Sequence, residues 1–167
     1  MQVRPERPGD ADQVSEVTTA AFATAAHSGG NEARVIEALR QANALAISLV
    51  AVGDEGRIVG HIAFSPVRID LKPGQWYGLG PVSVLPHLQK TGIGKTLILE
   101  GLDMLRHMGA ELCVLLGEPD YYRRFGFASD PGLTYLNYPI NPYFQRIVLS
   151  GDPPKGDVTY HAAFDAE

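Results

Sequence analysis

The feature that most constrains this chain is a short glycine loop between a predicted strand and a predicted helix. Residues 76–84 form an apolar run, and residues 94–108 repeat apolar side chains at helical spacing. Between them, Gly92-Ile93-Gly94 places unpaired backbone N–H groups at the positive end of the predicted helix dipole. Such a helix entry suits a diphosphate. Taken alone, a G-x-G at this point more often marks only the start of a helix, so its context must decide.

Two common nucleotide-binding motifs do not fit this loop. The string Gly94-Lys95-Thr96 matches the end of a P-loop, but that motif requires a glycine where this chain has Gln89. A dinucleotide fingerprint requires a third glycine where this chain has Leu97. A phosphotransferase function therefore rests only on Gly94-Lys95-Thr96.

The remaining patterns alternate between helices and strands, which predicts an α/β fold of the α+β type. Asp10 and Gln13 have the spacing of a capping box before the first helix, and Asn31 is a candidate cap for the second. Pro81 interrupts the run 76–84 without a backbone N–H to donate, so we expect a bulge there. The predicted order is β-α-α-β-β-β-α-β-α-β-β, a mixed twisted sheet of about seven strands, with the later strands at residues 44–52, 58–69, 76–84, 111–116, 144–149 and 157–164.

Length and composition bound the classes of protein that remain. The 167 residues predict one domain over 1–167, with a motif-bearing core over about 1–130 and C-terminal strands over 131–167. The net charge of −5 argues against a nucleic-acid partner and weakly favours a cationic acceptor. Cys113 is the only cysteine, which suits a reducing cytoplasm. No apolar run approaches the roughly 20 residues that span a bilayer, so we expect a soluble protein with no membrane partner.

Two motifs in register resemble the GNAT superfamily of acetyl-CoA-dependent N-acyltransferases. Gln89, Gly92 and Gly94 match its Q/R-x-x-G-x-G/A motif directly after a strand and before a helix. Downstream, residues 122–127 resemble its Y-x-x-x-G-F signature, and the longer string over 117–127 is similar to a subgroup of predicted acetyltransferases. The resemblance covers the element order of nearly the whole chain, although the last roughly 40 residues carry no matching motif. It implies a single-domain fold whose sheet splays in the middle.

The resemblance also implies a co-substrate, acetyl-CoA, and roles for particular residues. The backbone of the bulged strand would pair with the pantetheine arm, and the Val82 N–H would donate to the thioester carbonyl and stabilise the oxyanion. Tyr122 matches the general acid that protonates the departing thiolate. No metal is expected. The implied coenzyme contacts are Val82, Ser83, Val84, Gln89, Lys90, Thr91, Gly92, Ile93, Gly94, Lys95 and Tyr122.

The general base is the point at which this chain departs from the family pattern. Some family members carry a glutamate four residues before the oxyanion donor, where this chain has Gly78. Glu32, Glu118 and His61 are the candidates elsewhere, and each has an ordinary structural alternative. Deprotonation through ordered water, without a dedicated residue, fits the sequence equally well.

The predicted acceptor is a primary amine of a small molecule, peptide or protein, and a homodimer is possible. We expect the acceptor site near the loop 27–31, the aromatic residues Trp76 and Tyr77, and the stretch 135–144. Aromatic and proline-rich loops also pack simply against sheets, so this assignment is open residue by residue. Because Gly78 leaves no carboxylate, a non-catalytic acyl-CoA-binding or sensing domain is the alternative function.

Overall fold

A computed structural model describes residues 1–23, 25, 28–138 and 141–167. Short 3₁₀ turns cover Asp54–Gly56, Pro86–Leu88, Arg123–Phe125 and Ala162–Asp165. In chain order, the helices and strands are β1 (Gln2–Pro5), α1 (Ala11–Phe22), α2 (Glu32–Gln41), β2 (Ile47–Val52), β3 (Ile58–Pro66), β4 (Arg68–Ile69), β5 (Trp76–Val84), α3 (Ile93–His107), β6 (Leu112–Leu116), α4 (Pro119–Tyr122), β7 (Leu133–Tyr135), β8 (Phe144–Val148) and β9 (Gly156–Thr159).

Within the described residues, the strands form two sheets rather than the single sheet of about seven strands that we predicted. The larger sheet has the order β1-β2-β3-β5-β6-β8, and the smaller one the order β4-β9-β7. The second sheet arises because the predicted strand 58–69 breaks after Pro66, and Arg68 then pairs with Thr159 of β9 instead of continuing along β5. The predicted strand 157–164 likewise ends at Thr159 and is followed by the turn Ala162–Asp165. The mixed α/β class is confirmed.

The central strands β5 and β6 diverge, as the resemblance implied. They run parallel and pair only from Trp76↔Leu112 to Gly78↔Val114, whereas β6 continues to Leu116 in register with β8. Along its other edge β5 stays paired with β3, where Ile62 faces Val82 and Phe64 faces Leu79. One extra β5 residue is thus accommodated at Gly80-Pro81, which confirms the predicted bulge. The larger sheet is therefore open on one side of β5.

Helix α3 closes one face of the larger sheet and fixes the position of the glycine loop. Its residues Leu97, Ile98 and Leu105 are fully buried in the main hydrophobic cluster. Gly101 allows the close approach, since a Cβ at this position would overlap the buried ring of Phe64. The helix start is thereby held rigidly beside the end of β5.

Asp10 and Asn31 stand at the N-cap positions of α1 and α2, as predicted, but neither side chain makes a capping hydrogen bond, because each binds another partner. The Asp10 carboxylate accepts hydrogen bonds from the Arg4 guanidinium at 2.7 Å and the Arg7 N–H at 2.8 Å. Gln13 accepts from the N–H of Ile58 at 3.1 Å. Asn31 donates its amide N–H to the carbonyl of Ala166 at 2.8 Å, which ties the start of α2 to the C-terminal segment. Among the helices described, none has the length and apolar character needed to cross a bilayer.

Candidate active site

A groove of about 780 Å³ extends from the open edge of β5 to the N-terminus of α3. We call it the α3 groove. It collects residues that lie far apart in the chain, from α1, β5, the glycine loop and α4. Its walls are Ala21, Phe22, Ala25, Val82, Val84, Gln89, Lys90, Gly92, Gly94, Lys95, Tyr121, Tyr122 and Arg124.

The open edge of β5 presents the backbone groups of Val82 and Val84. The N–H of Leu85 donates to the carbonyl of Val59 in β3 at 3.0 Å. Since backbone groups alternate between the two edges of a strand, Val82 and Val84 point away from β3. Accordingly, the Val84 carbonyl accepts a hydrogen bond from the side chain of Gln89 at 3.1 Å, inside the groove. The strand therefore exposes ladder groups to a ligand where β6 has diverged.

The glycine loop turns sharply into α3 and leaves its first N–H groups open. Lys90 and Gly92 have positive φ values of 63° and 96°, and the latter conformation favours glycine. The N–H of Thr96 makes the first helical bond, to the Gly92 carbonyl at 3.0 Å. The preceding N–H groups of the first turn have no partner within the helix, and their dipole end faces the groove. This geometry suits a diphosphate.

The electrostatics of the α3 groove favour an anionic ligand. Lys90, Lys95 and Arg124 line it, and the lining residues that the structure describes include no carboxylate. Arg124 lies 4.6 Å above the ring of Tyr121 and donates to its carbonyl at 2.8 Å. Neither Tyr121 nor Arg124 was predicted from the sequence as a contact of the groove. Their i, i+3 spacing within the signature over 117–127 could have indicated that the two side chains lie together.

Tyr122 is half-buried in the wall of the α3 groove. It packs edge-on against Tyr121 and Phe127, with ring centroids 4.9 and 6.1 Å apart. Gly117 leaves room for it, because a Cβ there would lie 2.5 Å from Cε2 of the ring. Burial, with a smaller contribution from Tyr121, raises the pKa of the Tyr122 hydroxyl to about 12. The hydroxyl therefore stays protonated, and able to donate, at neutral pH.

A second cavity, of about 240 Å³, adjoins the α3 groove. We call it the aromatic pocket. Phe22 lines both cavities, and consecutive β5 residues separate them, since Pro81 faces the pocket and Val82 the groove. Its walls are Phe22, Asn31, Glu32, Val35, Leu79, Gly80, Pro81, Leu116, Tyr135, Tyr160 and Phe164.

Only one of the three predicted base candidates reaches either cavity. Glu32 lines the aromatic pocket, and its two carboxylate oxygens accept from the Ser28 hydroxyl at 2.8 Å and the Gly29 N–H at 3.0 Å. Glu118 is exposed at the start of α4 and lines neither cavity. His61 is fully buried within the sheet, where burial, with a smaller contribution from Arg40, lowers its pKa to about 3.

Some of the other residues predicted to contact coenzyme or acceptor line a cavity, and others do not. Ser83 points its hydroxyl into the interior toward Thr18, at 3.3 Å, while Thr91 and Ile93 do not line the groove. Of the expected acceptor residues, Asn31 and Tyr135 reach the aromatic pocket, but the side chain of Trp76 packs in a separate apolar cluster. Tyr77 lines neither cavity, and its hydroxyl donates to Gln75. The residues His27, Pro139 and Ile140 lie outside the described residues.

No cluster of three or more His, Cys, Asp or Glu side chains is placed to hold a metal ion in the part of the chain that the structure describes.

Comparison with known proteins identifies the same family. Residues 2–129 match the model of the acetyltransferase (GNAT) domain. The uncharacterized N-acetyltransferase YhbS of Escherichia coli K12 is 37% identical over 127 residues, which cover 76% of this chain and 73% of YhbS. The uncharacterized N-acetyltransferase YjhQ of the same strain is 35% identical over 138 residues, which cover 78% of this chain and 72% of YjhQ.

Solved structures show the same fold with coenzyme bound. A GNAT family acetyltransferase from Brucella melitensis, in complex with acetyl-CoA, is 51% identical and superposes with a TM-score of 0.87, covering 98% of this chain and 97% of that one. The E. coli YhbS structure, in complex with CoA, is 31% identical with a TM-score of 0.86, covering 98% and 91%.

Proposed function

Because this chain belongs to the GNAT acetyltransferase family and is an acetyl-CoA-dependent acyltransferase, we propose that it acetylates a primary amine within a ternary complex. The main observation behind this proposal is that the two cavities meet at strand β5. Pro81 faces the aromatic pocket, Val82 faces the α3 groove, and Phe22 lines both. A thioester in the groove and an amine in the pocket would therefore meet beside the Val82 backbone.

Acetyl-CoA would lie along the α3 groove. Its diphosphate would accept from the open N–H groups at the start of α3, in the positive field of Lys90, Lys95 and Arg124. The pantetheine arm would pair with the backbone of Val82 and Val84, as an added strand does at an open sheet edge. The thioester would then reach the bulge, because the arm runs along β5 from the loop toward Pro81.

In the proposed reaction, the neutral amine nitrogen attacks the thioester carbon and forms the new C–N bond. The carbonyl oxygen becomes an oxyanion that accepts a hydrogen bond from the Val82 N–H. The C–S bond then breaks, the electron pair leaves on sulfur, and the amine loses its excess proton. The products are the acetamide and coenzyme A.

The resemblance implies a general acid at Tyr122, but the raised pKa of its hydroxyl favours hydrogen-bond donation to the departing thiolate over full proton transfer. A free thiol has a pKa near 8.5, so complete proton transfer from a hydroxyl of pKa about 12 would be uphill by about 5 kcal/mol. The hydroxyl instead stabilises the departing thiolate mainly by donating a hydrogen bond. Such a bond to a charged group is worth about 1.5–3 kcal/mol.

The proton from the amine would leave through Glu32 or through water beside it. Glu32 is the carboxylate in the lining of the aromatic pocket, as far as the described residues show. The position of the missing family glutamate, Gly78, has no room for a side chain, because a Cβ there would lie 2.7 Å from the ring of Tyr160. Tyr160 thus occupies the space that a carboxylate at residue 78 would need.

The test combines calorimetric binding of acetyl-CoA with coenzyme release across a panel of amines. We expect acetyl-CoA to bind and at least one primary amine to release coenzyme A. Tyr122→Phe should lower kcat by roughly 10- to 150-fold while the Kd for acetyl-CoA stays within about twofold, since only the bond to the departing sulfur is lost. Tyr143→Phe, at an exposed tyrosine, is the matched control.

One set of results would favour the sensing alternative. It consists of acetyl-CoA binding without coenzyme release for any amine, together with Tyr122→Phe behaving like the parent. The absence of a carboxylate at Gly78 is the observation that favours this alternative.

A further inference from the structure

We propose that the acceptor is a small primary amine attached to an aromatic or compact apolar group, an inference that rests on the acetyl transfer proposed above. The aromatic pocket would hold the apolar group, with the amine directed toward Glu32 and the β5 bulge. Polyamines, aminoglycoside-like polycations and the lysine side chains of proteins would be excluded as acceptors.

Interlocked aromatic rings form the walls of the pocket. Tyr135 and Tyr160 meet edge to face, with centroids 5.3 Å apart and planes at 88°. Tyr160 and Phe164 follow at 5.2 Å, and Phe22 contributes a fourth ring. Edge-to-face contacts fix ring orientation, so these walls form a preorganised surface for another aromatic ring.

The polar groups of the pocket suit one cation. Among the described residues that line it, Glu32 carries the sole formal charge, and none is a lysine, arginine or histidine. The Asn31 amide is already bound to the carbonyl of Ala166. A second ammonium or a polar chain would lose its hydration against Val35, Leu79 and Leu116, and the hydroxyls of Tyr135 and Tyr160 would be the remaining neutral partners among the described lining residues.

The size of the pocket also favours a small acceptor. Its volume of about 240 Å³ lies below the roughly 300–1,000 Å³ of common ligand sites, so it suits a compact group.

Most of the aromatic rings of the pocket come from the C-terminal part of the chain. Three of its four aromatic rings, those of Tyr135, Tyr160 and Phe164, lie beyond residue 129, where the match to the family model ends. Ala163, Phe164 and Ala166 pack with Val35 of α2, and the bond from Asn31 to Ala166 holds this segment in place. Most of the aromatic wall is therefore built by residues outside the region that matches the family model, whereas Phe22 and Glu32 lie within it.

The experiment measures amine binding to the protein saturated with coenzyme A, so it does not depend on turnover. The probes are 2-phenylethylamine, its alcohol analogue 2-phenylethanol, 1,4-diaminobutane and a lysine-containing peptide. We expect 2-phenylethylamine to bind roughly tenfold or more tightly than each of the others, because it alone provides both the ring contacts and the ammonium. Acetylation rates should follow the same order.

Three variants assign the binding to the pocket. Phe164→Leu and Tyr160→Leu should weaken 2-phenylethylamine binding by roughly tenfold through loss of ring contacts, with unchanged coenzyme affinity. Glu32→Gln should bring the amine and the alcohol to similar affinities. Tyr143→Leu, an exposed tyrosine outside the pocket, should match the parent.

The inference is overturned if 1,4-diaminobutane or the lysine peptide binds as tightly as 2-phenylethylamine, or if correctly folded Phe164→Leu keeps the parent's affinity. These results are distinct from failure of the proposed function. Preferential binding of 2-phenylethylamine without any acetylation would uphold the pocket assignment and refute the transferase mechanism.

Discussion

Buried His61 should make the stability of this protein fall steeply in mild acid. Its side chain has no exposed surface, and Nε2 lies 2.8 Å from the Ser48 hydroxyl. Burial, followed by a smaller effect of the Arg40 charge, lowers its pKa to about 3 from the usual 6.5. The unfolded chain therefore takes up a proton at this histidine near pH 6.5, whereas the folded protein takes it up only near pH 3. The stability that the neutral ring contributes is complete above pH 6.5 and is lost as the pH falls toward 3.

The size of this effect follows from the two pKa values. Each pH unit below the unfolded pKa costs about 1.4 kcal/mol, so His61 alone removes about 2 kcal/mol between pH 7 and pH 5. The carboxylates of Asp10 and Asp130 have lowered pKa values through their partners Arg4 and Gly132. Their stabilising contribution begins to fall only near their unfolded pKa of about 4. The window from pH 7 to 5 therefore separates the effect of His61 from that of these carboxylates.

Urea unfolding at pH 7 and pH 5 measures the difference. We expect the parent protein to lose about 2 kcal/mol of unfolding free energy, and His61→Gln to lose only a small part of that, because the amide does not titrate. His87→Gln, which removes an exposed histidine, should keep the parent's pH dependence. Equal losses in the parent and in His61→Gln would refute the buried, neutral histidine. An NMR titration of the His61 ring in the parent provides the same test without a variant, since protonation above pH 5 contradicts the reasoning.

Two glycine positions give further predictions. Gly101→Ala should lower the unfolding free energy by about 1–3 kcal/mol, because overlap with the Phe64 ring outweighs the gain of about 1 kcal/mol in helix propensity. Urea unfolding measures this change, and a stabilised variant would show that α3 does not pack so closely. Gly117→Ala should displace the Tyr122 ring and lower kcat toward that of Tyr122→Phe, with unchanged Kd for acetyl-CoA. Parent-like turnover in steady-state kinetics would remove Gly117 as a positioning residue.

Several features of the α3 groove could be predicted from residues that are neighbours in the sequence. The strand Trp76–Val84 was predicted with its observed bounds, and the bulge at Pro81 was expected because proline cannot donate a ladder hydrogen bond. Gly92 was recognised because a glycine loop before a helix leaves backbone N–H groups open to an anion, and the structure gives this residue a positive φ. Each of these features depends on residues close together in the sequence, so a short string carries the whole signal.

The aromatic pocket could not be predicted in this way. Tyr160 and Phe164 gave no motif, and their run was predicted to be a strand although it ends at Thr159. Their place in the aromatic pocket depends on contacts across more than one hundred residues, such as the bond from Asn31 to Ala166. When both a local and a distant hydrogen-bond partner are available to a side chain, the sequence does not show which of them it binds.

The sequence by itself thus determined the α/β class, the family and the loop that is suited to a diphosphate. Tertiary structure alone decided which predicted residues face a cavity. Glu32 reaches the aromatic pocket, whereas Glu118 stays at the surface and His61 is enclosed by the sheet. The physical reason is that a backbone conformation is set by neighbouring residues, while burial and pKa depend on whatever the rest of the chain packs against a side chain.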